Sequence, residues 1–375
     1  MKRFGWILVI LMAASPAWAA RKINVQQLKD MLVSMQRAKK SDADVAAALK
    51  QVELTEELTL ATMNSLVSFV PGLYSTEQIY VLEARSAVLP PPASDLPATP
   101  APDAATQKAI LDKALGYATK TYAQLPALTA TKTTLRFQDN VEAVPASSGL
   151  HSSAAIIDPN LVNASQFVHY INSTENQVTF QNGAEQNPLA MDKTTWGANG
   201  LIALLGQSPI LSAVLAEAEG AGKLNWLRWE TVNGIQTAVF SFAVDKKKSH
   251  YAVNYCCFPS TAQVGPRALQ TDVTWENYKA TVPYHGEIFV DPAAGIVVRL
   301  VTVAEFKAAD VVHQEDTRID YGPATVGGKP LVLPVRTIID TEVVTGGQDF
   351  AGKYSTCRTL FTVDYKDYQP AGAAH

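Results

Sequence analysis

The stretch that decides the fold is HGEIFVDPAAGIVVRL, residues 285–300. Two strand-like runs, His285–Val290 and Ile296–Phe306, flank the segment Pro292–Gly295, which has the proline and glycine of a tight turn. Strands joined by so short a connection pair antiparallel, because a parallel pair needs a crossover of a dozen or more residues. The stretch therefore predicts an antiparallel hairpin.

The same pattern of strand and turn continues on both sides of this hairpin. Further strand candidates are Thr134–Gln138, Gln166–Asn172, Gln177–Gln181, Asn225–Thr231, Gln236–Val244, His250–Cys256, Asp316–Tyr321, Leu331–Glu342 and Ser355–Tyr365. Reversal signals lie at Asn182-Gly183, Asn233-Gly234 and Gly327-Gly328. Strand does not alternate with helix as it does in a parallel sheet. We therefore predict an α+β fold with one large, strongly curved antiparallel sheet, a half-open β-barrel.

Helical patterns interrupt the strands in three places. Residues 23–89 carry apolar residues at spacings of three and four and predict a bundle of four short helices. Helix-start signals lie at Ser41, Thr55, Ser75 and Asp103. A helix after Asp103 precedes the first large strand, and Thr194–Glu219 is an apolar helical region that Pro209 should divide. We expect these last two regions to cover the concave face of the sheet.

The first twenty residues have the pattern of a secretory signal. A basic start, Lys2 and Arg3, precedes an apolar run from Trp6 to Ala14 and the small-residue cleavage pattern Ala17-Trp18-Ala19. The run is shorter than the about 20 apolar residues that span a bilayer. We predict a cleaved signal peptide, a periplasmic or secreted location and no transmembrane anchor after cleavage. An uncleaved anchor is the alternative.

These elements divide the chain into five parts. Residues 90–102 contain six prolines, so this stretch stays extended as a linker or a strap across the surface. The predicted parts are a signal peptide at 1–19, a helical segment at 20–89, a Pro-rich linker at 90–102, a half-barrel domain at 103–368 and a tail at 369–375.

Charge and cysteine content exclude some functions. Lys2 and Arg3 are the only charges of the signal, so its removal takes the formal net charge from −4 to −6. An acidic chain argues against nucleic-acid binding. In an oxidising compartment, Cys357 is expected to bridge either Cys257 or Cys256, since adjacent strand residues point to opposite faces. A metal site is the alternative, but no histidine lies at ligand spacing from the cysteine pair, and we predict none.

No motif with catalytic chemistry is present. The sequence lacks a nucleophile elbow, a phosphate-binding loop, a dinucleotide fingerprint and a zincin helix. Glu287 and Asp291 would lie on one strand face about 13 Å apart, which is too far for glycoside cleavage. We therefore predict no catalytic residue and no cofactor.

A ligand cavity between sheet and helices is the remaining candidate site. Its expected lining consists of one arginine on the first large strand and of apolar residues from strands and helices. These residues are Arg136, Leu204, Leu205, Leu211, Val239, Ile288, Val290, Val297, Ile319 and Leu333. Such a lining is either a dry core or a pocket for an acyl chain or an apolar peptide.

The hairpin at 285–300, followed by Ile319–Gly322, Val326–Lys329 and Leu331–Pro334, resembles the periplasmic outer-membrane lipoprotein-sorting superfamily of carriers, receptors and sensors. The resemblance covers roughly residues 103–368 and implies a half-open barrel, closed by helices, around a cavity for acyl chains. Residues 23–89 have no counterpart in that superfamily. The layout is also similar to that of secreted bacterial proteins without known chemistry.

These observations lead to one function and two alternatives. The first is a non-enzymatic periplasmic or secreted carrier that binds a lipid or a lipidated protein in its barrel. The second is an envelope sensor or interaction module that binds a protein partner through residues 23–89. The third is an envelope hydrolase of an unrecognised kind.

Overall fold

The computed structural model describes residues 21–139, 168–186, 210–221, 223–259, 275–348 and 354–372. The predicted signal peptide, Leu204 and Leu205 lie outside these ranges. The first helical region that we placed before Pro209 also lies outside them.

A ten-stranded antiparallel sheet forms the body of the protein, which confirms the predicted α+β fold. Its strands are β3 (Leu128–Gln138), β4 (His169–Gln181), β5 (Ala184–Gln186), β6 (Asn225–Val232), β7 (Ile235–Val244), β10 (Tyr284–Val290), β11 (Val297–Ala304), β12 (Val312–Val326), β13 (Lys329–Gln348) and β14 (Tyr354–Pro370). Their order is β5-β4-β3-β14-β13-β12-β11-β10-β7-β6. Within the described residues the edge strands β5 and β6 do not pair, so the sheet stays open. A separate hairpin of β8 (Ala252–Pro259) and β9 (Trp275–Thr281) is inserted between β7 and β10.

The predicted turns join these strands. Asn182-Gly183 and Asn233-Gly234 both have positive φ at both residues, as a two-residue hairpin turn requires. In the decisive hairpin, a bulge near Phe289 shifts the register, and the Asp291 carboxylate accepts the amide hydrogen of Ala293 at 2.8 Å. The predicted strand Gln177–Gln181 and the part of Gln166–Asn172 from His169 onward belong to the single strand β4.

Residues 21–89 form the expected four helices: α1 (Val25–Arg37), α2 (Asp42–Leu49), α3 (Leu60–Val67) and α4 (Leu73–Arg85). The segment also contains two three-residue strands, β1 (Arg21–Ile23) and β2 (Val52–Leu54), which pair in parallel. This pair was not predicted. The predicted starts at Thr55 and Ser75 are wrong. α3 is capped by Thr59 and α4 begins after Gly72, so Glu57 precedes its helix.

Two helices cover the concave face. They are α5 (Ala104–Gly116), capped by Asp103 as predicted, and α6 (Leu211–Ala221). The chain after α5 reaches the β4–β5 end of the sheet, where the Tyr122 hydroxyl donates to the carbonyl oxygen of Gly183 at 3.1 Å. α6 packs on β7 near the other end. The sheet therefore curls around the two helices, and the largest apolar core lies between them and the sheet.

The helical segment packs on the opposite, convex face. Val81, Ala84 and Ala87 of α4 and the chain just after it contact Phe137 and Leu360 of the sheet. The Pro-rich stretch then crosses the edge hairpin β6–β7. There the Trp229 indole donates to the carbonyl oxygen of Pro100 at 2.9 Å, and the Gln236 amide donates to Thr99 at 3.0 Å. This stretch is thus a surface strap that leads from the convex to the concave side.

Candidate functional site

The residues predicted to line the cavity have different positions in the structure. Most are packed in the concave core, one also borders a cleft, and one lies on the convex face. Five of the predicted apolar residues lie in or against the concave core: Ile288, Val290, Val297, Ile319 and Leu333. Leu211 of α6 is buried in the same core. The prediction that Val239 lines the concave cavity is wrong. Val239 pairs with Phe289 and packs in a small convex cluster, because the residues of β7 that face the helices are its neighbours Ala238 and Phe240.

Arg136 lies on the concave side at the end of β3 that is away from α5. It pairs across the ladder with Phe361 of the concave core and is 4 % exposed. Its guanidinium donates to the side-chain oxygen of Gln138 on the same strand. Arg136 therefore belongs to a buried polar end of the concave face and does not line a described cavity.

An apolar cleft of about 230 Å³ opens between α5 and α6. Its walls are apolar side chains of α5, α6 and the residue before β6, and Ile288 of β10 forms the floor. Polar side chains stand only on the helices. The lining residues are Lys108, Leu111, Asp112, Ala114, Leu115, Leu215, Glu219, Leu224 and Ile288. Of the predicted lining residues that fall within the described ranges, Ile288 alone borders this cleft, because other described side chains fill the concave core.

Each helix beside the cleft is held to the sheet side, not to the other helix. Lys113 of α5 donates to the carbonyl oxygen of Pro292 at 3.3 Å, in the turn between β10 and β11. Glu217 of α6 accepts hydrogen bonds from the Tyr284 hydroxyl at 2.8 Å and from the His250 amide at 3.2 Å. Between the described residues of α5 and α6 no hydrogen bond or ion pair forms. Where the described parts of the two helices meet, they are held together by apolar contacts only.

A buried carboxyl lies deeper on the concave face. Glu315 of β12 is 2 % exposed and accepts a hydrogen bond from the Tyr251 hydroxyl at 3.0 Å. Burial raises the pKa of Glu315 to about 7, while the hydrogen bond from Tyr251 opposes the shift. No described cavity reaches this carboxyl. Its surroundings are those of a satisfied polar group in a core.

The convex face carries a cluster of buried charges that the sequence analysis did not foresee. Arg318 donates to Glu57 at 2.6 Å and to Asp320 at 2.8 Å, and Arg299 donates to Glu57 at 3.1 Å and to Asp320 at 2.6 Å. Burial alone would raise the pKa of Asp320, but the two guanidinium groups outweigh it and lower that pKa to about 2. Glu57 belongs to the helical segment. The cluster thus joins this segment to the sheet.

A second cavity, of about 320 Å³, lies on the convex side beside this cluster. Its wall includes Val88 and Leu89 after α4, together with Phe289, but also charged groups. Arg228 and Glu287 at this cavity pair with each other at 2.7 Å. Because these charged groups already have ion-pair partners, they need no hydrogen bonds from a ligand. An apolar chain beside them would bury charge without compensation, so this cavity suits such a chain less well than the α5–α6 cleft.

Of the three cysteines, only Cys357 has a described side chain. Cys357 is buried and carries a free thiol whose Sγ lies 3.4 Å from the carbonyl oxygen of Asp139. Burial raises the pKa of this thiol to about 12. The side chains of Cys256 and Cys257 lie outside the described part of the structure. The predicted disulfide is therefore not shown.

None of the helices in the described part of the chain is long and apolar enough to cross a membrane. Within the same ranges, no group of three or more His, Cys, Asp or Glu side chains is arranged to hold a metal ion. No protein-family model, curated protein or solved structure matches the chain.

Proposed function

We propose that the protein is a non-enzymatic binding or carrier protein of the cell envelope, periplasmic or secreted, whose ligand is a lipid or a lipidated protein. The observation that carries the proposal is the cleft between α5 and α6 above Ile288. Most of its lining is leucine, isoleucine and alanine, which suits a hydrocarbon chain, and Lys108, Asp112 and Glu219 add polar groups from the two helices.

The way the two helices are held supports entry of an apolar chain at this point. α5 is fixed through Lys113 to the β10–β11 turn, and α6 is fixed through Glu217 to Tyr284. A chain that separates them breaks apolar contacts and replaces them with similar ones, while the polar contacts stay in place. The cleft of about 230 Å³ is smaller than the ligand pockets of roughly 300–1,000 Å³ found in other proteins, so such separation is part of the proposal.

The resemblance of residues 285–334 to the lipoprotein-sorting superfamily points to the same ligand class. In that resemblance, helices close a half-open barrel around acyl chains. The open sheet and its two covering helices have the corresponding arrangement. The signal-like residues 1–19 support an envelope location.

Binding of a fluorescent fatty acid to the purified full chain tests the proposal. The variant Leu111→Trp fills the cleft from a half-buried position and should weaken binding about tenfold or more, since overpacking costs about 1–3 kcal/mol. The matched control is Ile235→Trp at the start of β7, where the side chain is exposed. Native mass spectrometry of protein from the envelope should show retained lipid. Absence of both lipid and fatty-acid binding would refute the proposal.

A further inference from the structure

The most exposed large apolar side chains of the described residues stand side by side at one corner of the molecule. Leu73 is 84 % exposed and Tyr74 is 68 % exposed, in the first turn of α4. They follow Pro71-Gly72 in the connection from α3. Exposing two such residues together costs solubility, so their position calls for a partner.

The corner is held by Asp42, the first residue of α2. The Asp42 carboxylate accepts the amide hydrogens of Tyr74 at 3.0 Å and Ser75 at 2.9 Å, and so caps the start of α4 from another helix. A side chain at Gly72 would collide with this carboxylate. Leu73 and Tyr74 are therefore presented in one fixed orientation and not on a loose loop.

Basic side chains lie close in sequence to Asp42, the residue that caps this corner. Arg37 ends α1, Lys39 and Lys40 follow in the connection to α2, and all three are exposed; α2 begins two residues later at Asp42. The last turn of α1 contacts the end of α3, where the Gln36 side-chain amide donates to the carbonyl oxygen of Ser68 at 3.4 Å. Residues 37–40 thus carry three cations within four positions of a chain whose formal net charge is −4. Three acidic groups lie near the corner. Asp42 is used in the cap, Asp44 lies in the first turn of α2, and Glu77 lies one turn along α4 from Leu73 and accepts the amide hydrogen of Tyr170 at 2.8 Å.

We propose that this corner docks the protein on the surface of an anionic lipid bilayer. Leu73 and Tyr74 enter the headgroup region, where leucine and tyrosine side chains are both favoured, while Arg37, Lys39 and Lys40 bind lipid phosphates. Charge complementarity selects this partner. An exposed apolar pair beside a connection that carries long, flexible cations fits a fluid, negatively charged surface, whereas a protein partner would need a groove to receive it.

This inference does not rest on the proposed cargo site. The corner belongs to the helical segment on the convex side of the sheet, whereas the cleft between α5 and α6 opens on the concave side. A protein that docks on the bilayer need not carry lipid, and a lipid carrier need not dock through this corner.

Sedimentation of the full chain with vesicles tests the proposal. The protein should bind vesicles that contain phosphatidylglycerol and should bind phosphatidylcholine vesicles much more weakly. Replacement of Arg37, Lys39 and Lys40 by Gln should weaken binding about a hundredfold, because each basic residue near an anionic surface contributes a factor of about five. The Leu73→Ser/Tyr74→Ser variant should lose at least about tenfold, from the apolar area no longer buried.

A matched control is Lys246→Gln/Lys247→Gln, which removes two exposed cations from the β7–β8 connection. This control should bind vesicles as the unchanged chain does, and the corner variants should keep their affinity for the fluorescent fatty acid. The proposal is overturned if the unchanged chain does not sediment with vesicles that contain phosphatidylglycerol. It is equally overturned if the Lys246/Lys247 control loses as much binding as the corner variants, since net charge would then explain the effect.

Discussion

The buried charge cluster on the convex face allows a sharp prediction for Glu57→Gln. The Glu57 carboxylate contacts two guanidinium groups, those of Arg299 and Arg318, and all three residues are at most 4 % exposed. Without its charge, Arg318 keeps the carboxylate of Asp320 alone among the ion-pair partners of the described residues, and Arg299 keeps Asp320 and, at 3.9 Å, Glu230. At an effective dielectric constant of about 20, each pair at about 4 Å interacts by about 4 kcal/mol. Measured losses on breaking one side of a buried pair are about 3–5 kcal/mol. We expect a loss in that range.

The loss should appear first where Glu57 joins the helical segment to the sheet. Hydrogen exchange of the amides in α4 is the assay, because local opening there measures how firmly the segment is docked. A loss of about 3–5 kcal/mol corresponds to a fall in protection of roughly two to nearly four orders of magnitude. The central strands β13 and β14 should keep their protection.

Two comparisons make this prediction specific. Glu53→Gln removes a carboxylate of the same segment that faces Lys22 at 3.8 Å in solvent, and it should cost less than about 1 kcal/mol. The double variant Glu57→Gln/Arg318→Met should cost less than the sum of its single changes, because it removes an unpaired charge. Equal effects of Glu57→Gln and Glu53→Gln, or strict additivity in the double variant, would refute the reasoning.

Two further changes probe the concave face and the backbone. Burial raises the pKa of Glu315 from 4.5 to about 7, so the folded state holds its proton more tightly than the unfolded chain and stability falls by about 3 kcal/mol as pH rises through this window. In Glu315→Gln the urea midpoint should change less between about pH 5 and about pH 8 than in the unchanged chain, and parallel curves would contradict this. A side chain at Gly286 would meet the carbonyl oxygen of Val301, so Gly286→Ala should lower the free energy of unfolding by at least about 2 kcal/mol. Gly220→Ala, in open space on α6, should raise it by about 0.5–1 kcal/mol; equal effects of the two would show that close approach is not the cause.

Strands and turns were predictable because each depends on a few adjacent residues. Asn233-Gly234 needs no knowledge of the rest of the chain to form its turn, and the alternation of β10 is visible in Ile288 and Val290. The face of a strand is harder. Val239 and Ile288 look equally suited to the core, but their register places them on opposite faces, and register depends on the partner strand.

The charge cluster could not be found from local pattern because its members are far apart in sequence. Glu57 reads as an acidic residue in a first helical turn, an ordinary position that needs no partner. One signal was present. Arg318 and Asp320 alternate with Thr317 and Ile319, so this strand has a charged face inside a sheet where both faces are covered. Such a face indicates that another charged segment packs on it.

The two faces of the central strands also explain why the register is unique. Leu300 pairs with Ile319 on the concave face, and Arg299 pairs with Asp320 on the convex face. A slip of β12 by one residue would turn Arg318 and Asp320 into the apolar core and Ile319 toward Glu57. Burying those charges away from their partners would cost several kcal/mol for each ion. The cluster that holds the helical segment therefore also excludes the slipped sheet. Because the same register sets Ile288 and its neighbours on the concave side, the convex charges help to determine where the cleft between α5 and α6 can form.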